Sequence, residues 1–183
     1  MTSARDRRQG PAVVSRRGGR QISPVPPPKI ASPAALILRL ADEDATAALG
    51  ARLASLARPG DAILLEGPLG AGKTALARAF LRAAAGDPAL VVPSPSYTLV
   101  QSYETRLGPV HHFDLWRLQG GRLEGAGGIA ELGWHEAEAD IVLVEWPDRL
   151  GALAPSEALR VSLALAGERG REARLSGWPD RLP

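Results

Sequence analysis

The strongest constraint on this chain is an eight-residue run, Gly67-Pro-Leu-Gly-Ala-Gly-Lys-Thr74, set between two segments of opposite character. Ahead of it, Ala62-Ile-Leu-Leu-Glu66 is apolar without alternation until its last residue, the pattern of a strand buried on both faces of a parallel sheet. Behind it, a helix is expected from Lys73 to about Ala85, closed by Gly86-Asp87-Pro88. Strand, glycine turn and helix make one half of an α/β unit. The run fulfils the pattern GxxxxGK(S/T), which average residue usage produces by chance in roughly one chain of this length in a hundred. Glycines at 67, 70 and 72 let consecutive N–H groups converge on one anion, and the positive end of the following helix faces the same point. Such a loop holds phosphate. Lys73 supplies a compact ammonium for the outer phosphates and Thr74 a hydroxyl for Mg²⁺.

Composition supports this reading at one telling position. The chain has two lysines, Lys29 and Lys73, in a background where arginine carries nearly all positive charge. A surface turn would be served as well by arginine, whereas a phosphate loop needs the smaller ammonium. The formal net charge of +2 hides an asymmetry: residues 1–30 carry seven basic residues against Asp6, so the remainder is net acidic. An acidic body argues against a surface that tracks a DNA or RNA backbone. The absence of cysteine excludes disulfides, thiolate metal sites and cysteine nucleophiles.

At 183 residues one core is expected. Residues 1–33, basic and rich in proline toward their end, read as a tail without a core; residues 34–178 read as the folded domain and 179–183 as a short terminal tail. No apolar run is long enough for a signal sequence or a membrane span, so the expected location is the cytoplasm and no membrane partner is expected. Within the domain, Leu36–Leu40 reads as a strand, and Asp42 caps a helix to about Ala57 with Leu49, Leu53 and Leu56 as its apolar stripe. Strands are expected at Thr98–Glu104, Val110–Asp114 and Asp140–Glu145, and an antiparallel hairpin at Leu159–Ala166 and Glu172–Ser176. The six glycines between Gly120 and Gly133 leave that stretch open between a helix and a loop. The whole is a three-layer α/β architecture of the P-loop NTPase kind, with a mixed, mostly parallel sheet and a C-terminal antiparallel hairpin.

A nucleotide site of this kind needs a carboxylate at the end of a neighbouring strand. Glu145 ends one apolar run and Asp114 another, and spacing alone leaves open which meets the metal. His111 and His112 are neighbours on an expected strand, so they point to opposite faces and cannot chelate one ion together. Ser94-Pro-Ser-Tyr-Thr98 is a polar segment after the loop's helix, readable as a connector or as a nucleotide-sensing segment.

Together these pieces resemble the TsaE family, the small ATPases of bacterial tRNA threonylcarbamoyladenosine biosynthesis, over roughly Leu36 to Ser176. The resemblance lies in an ordered set: Leu69-Gly-Ala-Gly-Lys-Thr74, Ser94-Pro-Ser-Tyr-Thr-Leu-Val100, His112-Phe-Asp-Leu-Trp-Arg117, Val144-Glu-Trp-Pro147 and Gly170-Arg-Glu-Ala-Arg174. It implies ATP and Mg²⁺ as cofactors, slow ATP hydrolysis, TsaB and TsaD as protein partners, and tRNA reached indirectly. It also implies nucleotide contacts from Leu69, Gly70, Ala71, Gly72, Lys73 and Thr74, with Thr74 and Glu145 as metal ligands. Asp114 is then the second essential carboxylate, near the γ-phosphate, and Trp146 a residue needed for activity. Glu43 falls near the base, and Arg171 approaches the nucleotide from the hairpin. The chain departs from the family pattern at Pro68, where Asp is usual, at Ser96 for Thr, and at Trp116 for Tyr. Two other functions fit the same loop: a small-molecule kinase, whose arginine-bearing lid would have only Arg122 to draw on between residues 120 and 133, and a nucleotide-sensing module that binds without hydrolysis.

Overall fold

The computed structural model describes residues 35–118, 126–167 and 169–182. The segment read as a basic tail lies outside the described residues, as does Arg122.

The strand before the glycine loop, β2 (Ala62–Glu66), is buried along its first four residues because it lies centrally in the sheet. It pairs in parallel with β5 (Ile141–Glu145) on one side and with β6 (Leu159–Ala166) on the other. Beyond β5 lies β4 (Gly108–Asp114), also parallel, and β3 (Val100–Thr105) closes that edge antiparallel to β4. Beyond β6, β7 (Gly170–Ser176) returns antiparallel and β1 (Leu36–Leu40) pairs antiparallel to it. The order is β1-β7-β6-β2-β5-β4-β3, a mixed sheet with a parallel centre.

Alternation along the buried strands distributes their side chains to two cores. Ile63, Leu65, Leu143 and Val161 face one cluster, which α1 (Glu43–Leu56) and α2 (Lys73–Ala85) cover. Ala62, Leu64, Val142 and Val144 face the other, with Ile129 of α3 (Ala126–Glu131) and Trp134 of α4 (Trp134–Ala137). Trp134 is fully buried and meets the Phe113 ring edge-on at 5.4 Å. These are the three layers expected from the sequence.

Helix α1 begins as its cap predicts: Asp42 accepts the Ala45 N–H at 2.8 Å, and Glu43 and Asp44 sit favourably at the positive helix end. Leu49 and Leu53 are buried and Leu56 partly so. Gly50 lies on the same face, where a Cβ would approach Ala79 Cβ to 2.6 Å, so the missing side chain sets how closely α1 and α2 meet. Phe80 of α2 is 1% exposed in this layer. Phe80→Ala is expected to destabilise the domain by about 3–5 kcal/mol, read from the urea midpoint at unchanged slope.

Strand bounds differ from the sequence expectation in places, β7 among them, which starts at Gly170 rather than Glu172. Strand β3 starts at Val100 instead of Thr98 because Leu99 adopts φ +66°, which an extended strand does not allow. Its partner β4 starts at Gly108, two residues earlier than expected, reaching back to pair with Thr105. Within the glycine-rich stretch, residues 119–125 lie outside the described residues, while the rest forms α3 and α4. Buried Ile129 and Trp134 hold these short helices on the sheet despite Gly127 and Gly128.

After β7 the chain is tied to the domain by Arg181. Its guanidinium donates to both oxygens of Asp61 at 2.6 and 2.8 Å and stacks over the buried Trp178 ring at 3.9 Å. Among the described residues, no helix is long and apolar enough to cross a membrane.

Candidate functional site

The glycine loop leaves β2 through backbone that only glycine adopts easily. Gly67 has φ +135°, and a Cβ there would run into the Leu163 carbonyl oxygen of β6. Gly70 and Gly72 follow at φ +78° and +104°. Gly72 caps α2 without a side chain, so no side-chain oxygen competes for the N–H groups of the first turn.

Lys73 is buried, 5% exposed, and its ammonium is held by the loop that it serves. It donates to the Gly67 and Pro68 carbonyls at 2.8 and 3.0 Å and lies 3.9 Å from the centre of the Trp146 ring. Trp146 reaches that place through left-handed backbone, φ 61° and ψ 53°, a conformation that costs a non-glycine residue roughly 1–2 kcal/mol. Its ring also packs on Trp116 at 4.5 Å.

Burial pushes the Lys73 pKa below its ordinary 10.5, with Glu145 and then Asp114 opposing the shift. Because phosphate binding uses the protonated ammonium, nucleotide affinity is expected to fall as pH rises through a midpoint below 10.5. Titrating nucleotide affinity from neutral to alkaline pH, with Lys73→Arg as the non-titrating comparison, checks this.

The two expected carboxylates stand side by side, since Asp114 of β4 and Glu145 of β5 are register partners at the strand ends. Both are buried. Thr74 Oγ1 donates to Glu145 Oε1 at 2.8 Å, joining the start of α2 to the end of β5. Asp114 instead accepts Ser94 Oγ at 2.5 Å and the Trp116 N–H at 3.2 Å. Hydroxyl and carboxylate therefore meet at Glu145, and the Ser94 segment belongs to the site through Asp114.

This donor set fits Mg²⁺ delivered with a nucleotide. Among the described residues no group of three His, Asp or Glu side chains could hold a metal ion. One carboxylate and one hydroxyl suit a small, hard cation that takes its other ligands from phosphate and water.

His111 and His112 point to opposite faces as expected. His111 contacts Ser102 and Asp140 on the face away from the loop, at 2.7 and 3.1 Å. His112 lies instead against Glu145, with Nε2 3.0 Å from Oε1. That contact was not anticipated, although strand parity carries the signal: 112 shares a face with 114, and the loop helix lies over that face.

The loop separates two cavities. One of about 480 Å³ contains Lys73, Thr74, Ser94, Asp114, Glu145 and Trp146. The other, about 640 Å³, lies between the start of α1 and the hairpin and includes Glu43, Arg169 and Arg171. Gly70, Gly72 and Ala75 border both. Arg171 donates to the Ala71 and Gly70 carbonyls at 3.1 and 3.3 Å, so the hairpin reaches the loop backbone directly. Ala71 is fully buried, while Leu69 is exposed at the rim of the smaller cavity.

This constellation recurs in known proteins. A family model described as threonylcarbamoyl adenosine biosynthesis protein TsaE matches residues 40–173. The tRNA threonylcarbamoyladenosine biosynthesis protein TsaE of Rickettsia felis is 33% identical over 136 residues, 74% of this chain and 76% of the relative. Its counterpart in Bacillus subtilis is 30% identical over 145 residues, 78% of this chain and 86% of the relative. A crystal structure of Bacillus subtilis YdiB matches with a TM-score of 0.64 at 28% identity, covering 81% of this chain and 88% of that one. From the glycine loop through the paired strand-end carboxylates to the hairpin that closes over the loop, the chain belongs to the TsaE family of threonylcarbamoyl adenosine biosynthesis proteins.

Proposed function

We propose that the protein is a Mg²⁺-dependent ATPase that serves threonylcarbamoyladenosine formation in tRNA, acting with TsaB and TsaD in the cytoplasm. The pathway follows from family membership. The observation that supports ATP hydrolysis is the meeting of Lys73, Thr74, Glu145 and Asp114 in one cavity beside a complete phosphate loop.

In this reading the loop amides and Lys73 neutralise the phosphates, with the ammonium exchanging the Gly67 and Pro68 carbonyls for phosphate oxygens. Thr74 and Glu145 hold Mg²⁺, whose charge offsets that of the outer phosphates. Asp114, kept in place by Ser94 and the Trp116 amide, orients the attacking water and takes its proton as the bond to the ADP oxygen breaks. Trp146 covers the Lys73 ammonium and limits its freedom. Glu43 and Arg171 flank the nucleoside side of the loop.

Phosphate release from Mg·ATP, measured with and without TsaB and TsaD, tests chemistry and partnership together. Turnover that rises with the partners and needs no phosphorylated acceptor supports the reading. Phosphoryl transfer to a metabolite would mark a kinase instead. Tight Mg·ATP binding without turnover, even with both partners present, would mark a sensor.

A further inference from the structure

We infer that His112 is a positioning residue for Glu145, holding the carboxylate toward Thr74 through an N–H donated from Nε2. The inference rests on the reading of Thr74 and Glu145 as Mg²⁺ ligands given above.

His112 is fully buried and Glu145 is 3% exposed, so neither side chain depends on bulk water for its partner. Nε2 lies 3.0 Å from Glu145 Oε1, the same oxygen that accepts the Thr74 hydroxyl at 2.8 Å. Neither bond uses Oε2, and the carboxylate borders the cavity that also contains Lys73 and Thr74. Nδ1 is buried without a hydrogen-bond partner.

An ionised carboxylate only accepts hydrogen bonds, so the proton facing it belongs on Nε2. The opposite tautomer would set a ring lone pair against the carboxylate and bury an unpaired N–H at Nδ1. The ring is carried on the middle of β4, between its register partners Gln101 and Leu143, whereas Glu145 ends its strand on a flexible side chain. A stiff ring on the middle of its strand thus orients a carboxylate carried on a longer, more rotatable side chain at a strand end. Hydrogen bonds of this kind to a metal-ligating carboxylate change metal affinity by about 10–100-fold.

Two measurements on the full chain test this. In the metal-free protein, long-range ¹H–¹⁵N correlation of the imidazoles is expected to show His112 protonated at Nε2; protonation at Nδ1 alone overturns the inference. In the second, Mg²⁺ is titrated into protein with a fluorescent ATP analogue, and the half-saturating Mg²⁺ concentration is compared with nucleotide affinity in EDTA. His112→Leu is expected to raise the Mg²⁺ requirement by about 10-fold or more while EDTA affinity stays within about 2-fold. His112→Gln, whose amide reaches the Nε2 position, is expected to recover most of the loss. A His112→Leu protein with the parent's Mg²⁺ requirement, or a Gln variant no better than Leu, overturns the inference. If the Leu variant does not fold, His112→Asn replaces it as the variant lacking a donor at the Nε2 position. If binding by the parent protein is insensitive to Mg²⁺, the metal-ligand reading of Glu145 fails, and the tautomer measurement still decides whether His112 holds that carboxylate.

Discussion

Lys73→Ala is expected to reduce ATP turnover by at least about 10²–10³-fold while leaving the protein folded and no less stable. The loss follows from geometry, because the ammonium is the cation held at the loop and bordering the cavity of the two carboxylates. The stability expectation follows from the lowered pKa. A lysine whose folded pKa lies below its ordinary value binds its proton less well in the native state than in the unfolded chain. Its charge therefore costs stability at neutral pH, and the cost is relieved as pH rises through the folded value. Alanine removes that cost together with the contact to Trp146 and the bonds to the Gly67 and Pro68 carbonyls, which lie at half-buried and exposed residues open to water, so the melting temperature should hold or rise. Parallel phosphate-release and thermal-unfolding measurements separate lost chemistry from lost fold. Wild-type turnover in Lys73→Ala would refute the site.

Glu145→Ala is also expected to abolish turnover, with the opposite effect on stability. Glu145 Oε1 accepts the Thr74 hydroxyl and the His112 ring at one buried point. Alanine leaves the fully buried His112 ring without that acceptor, at about 1–3 kcal/mol, whereas the half-buried Thr74 hydroxyl can turn to the cavity. Glu145→Gln keeps a carbonyl acceptor but not the charge. It should restore much of the stability and none of the Mg²⁺-dependent rate. Equal melting temperatures for the alanine and glutamine variants would show that these hydrogen bonds contribute little to folding.

The parts of this molecule that were readable in sequence are those whose local chemistry allows one arrangement. The glycine loop, the Asp42 cap and the unbroken apolar strands β2 and β5 are of that kind. Pairing across the sheet was less accessible. The hairpin of β6 and β7 could be outlined from its alternation, but not that β6 lies parallel to β2 and sets its Leu163 carbonyl against Gly67. The choice between Asp114 and Glu145 had the same limit, because both end strands and only tertiary placement puts Thr74 on one and Ser94 on the other. Leu99 carried no warning of its positive φ, which arises from hydrogen bonds to Pro95 and Asp114. The glycine-rich stretch stayed open between helix and loop for a related reason. Its helices rest on two buried anchors, Ile129 and Trp134, rather than on helix propensity.

Arg171 and the loop carbonyl of Ala71 that it binds are 100 residues apart in the chain, and Leu163 is nearly as far from Gly67. During synthesis the loop therefore leaves the ribosome long before the strands that complete its walls. Closing so wide a separation is slow and comes late in folding. Until the hairpin has emerged, the nascent chain lacks the surfaces that shape this loop, so the site is finished only once β6 and β7 are in place. On the proposed reading, a nucleotide would stabilise the completed protein rather than guide its assembly.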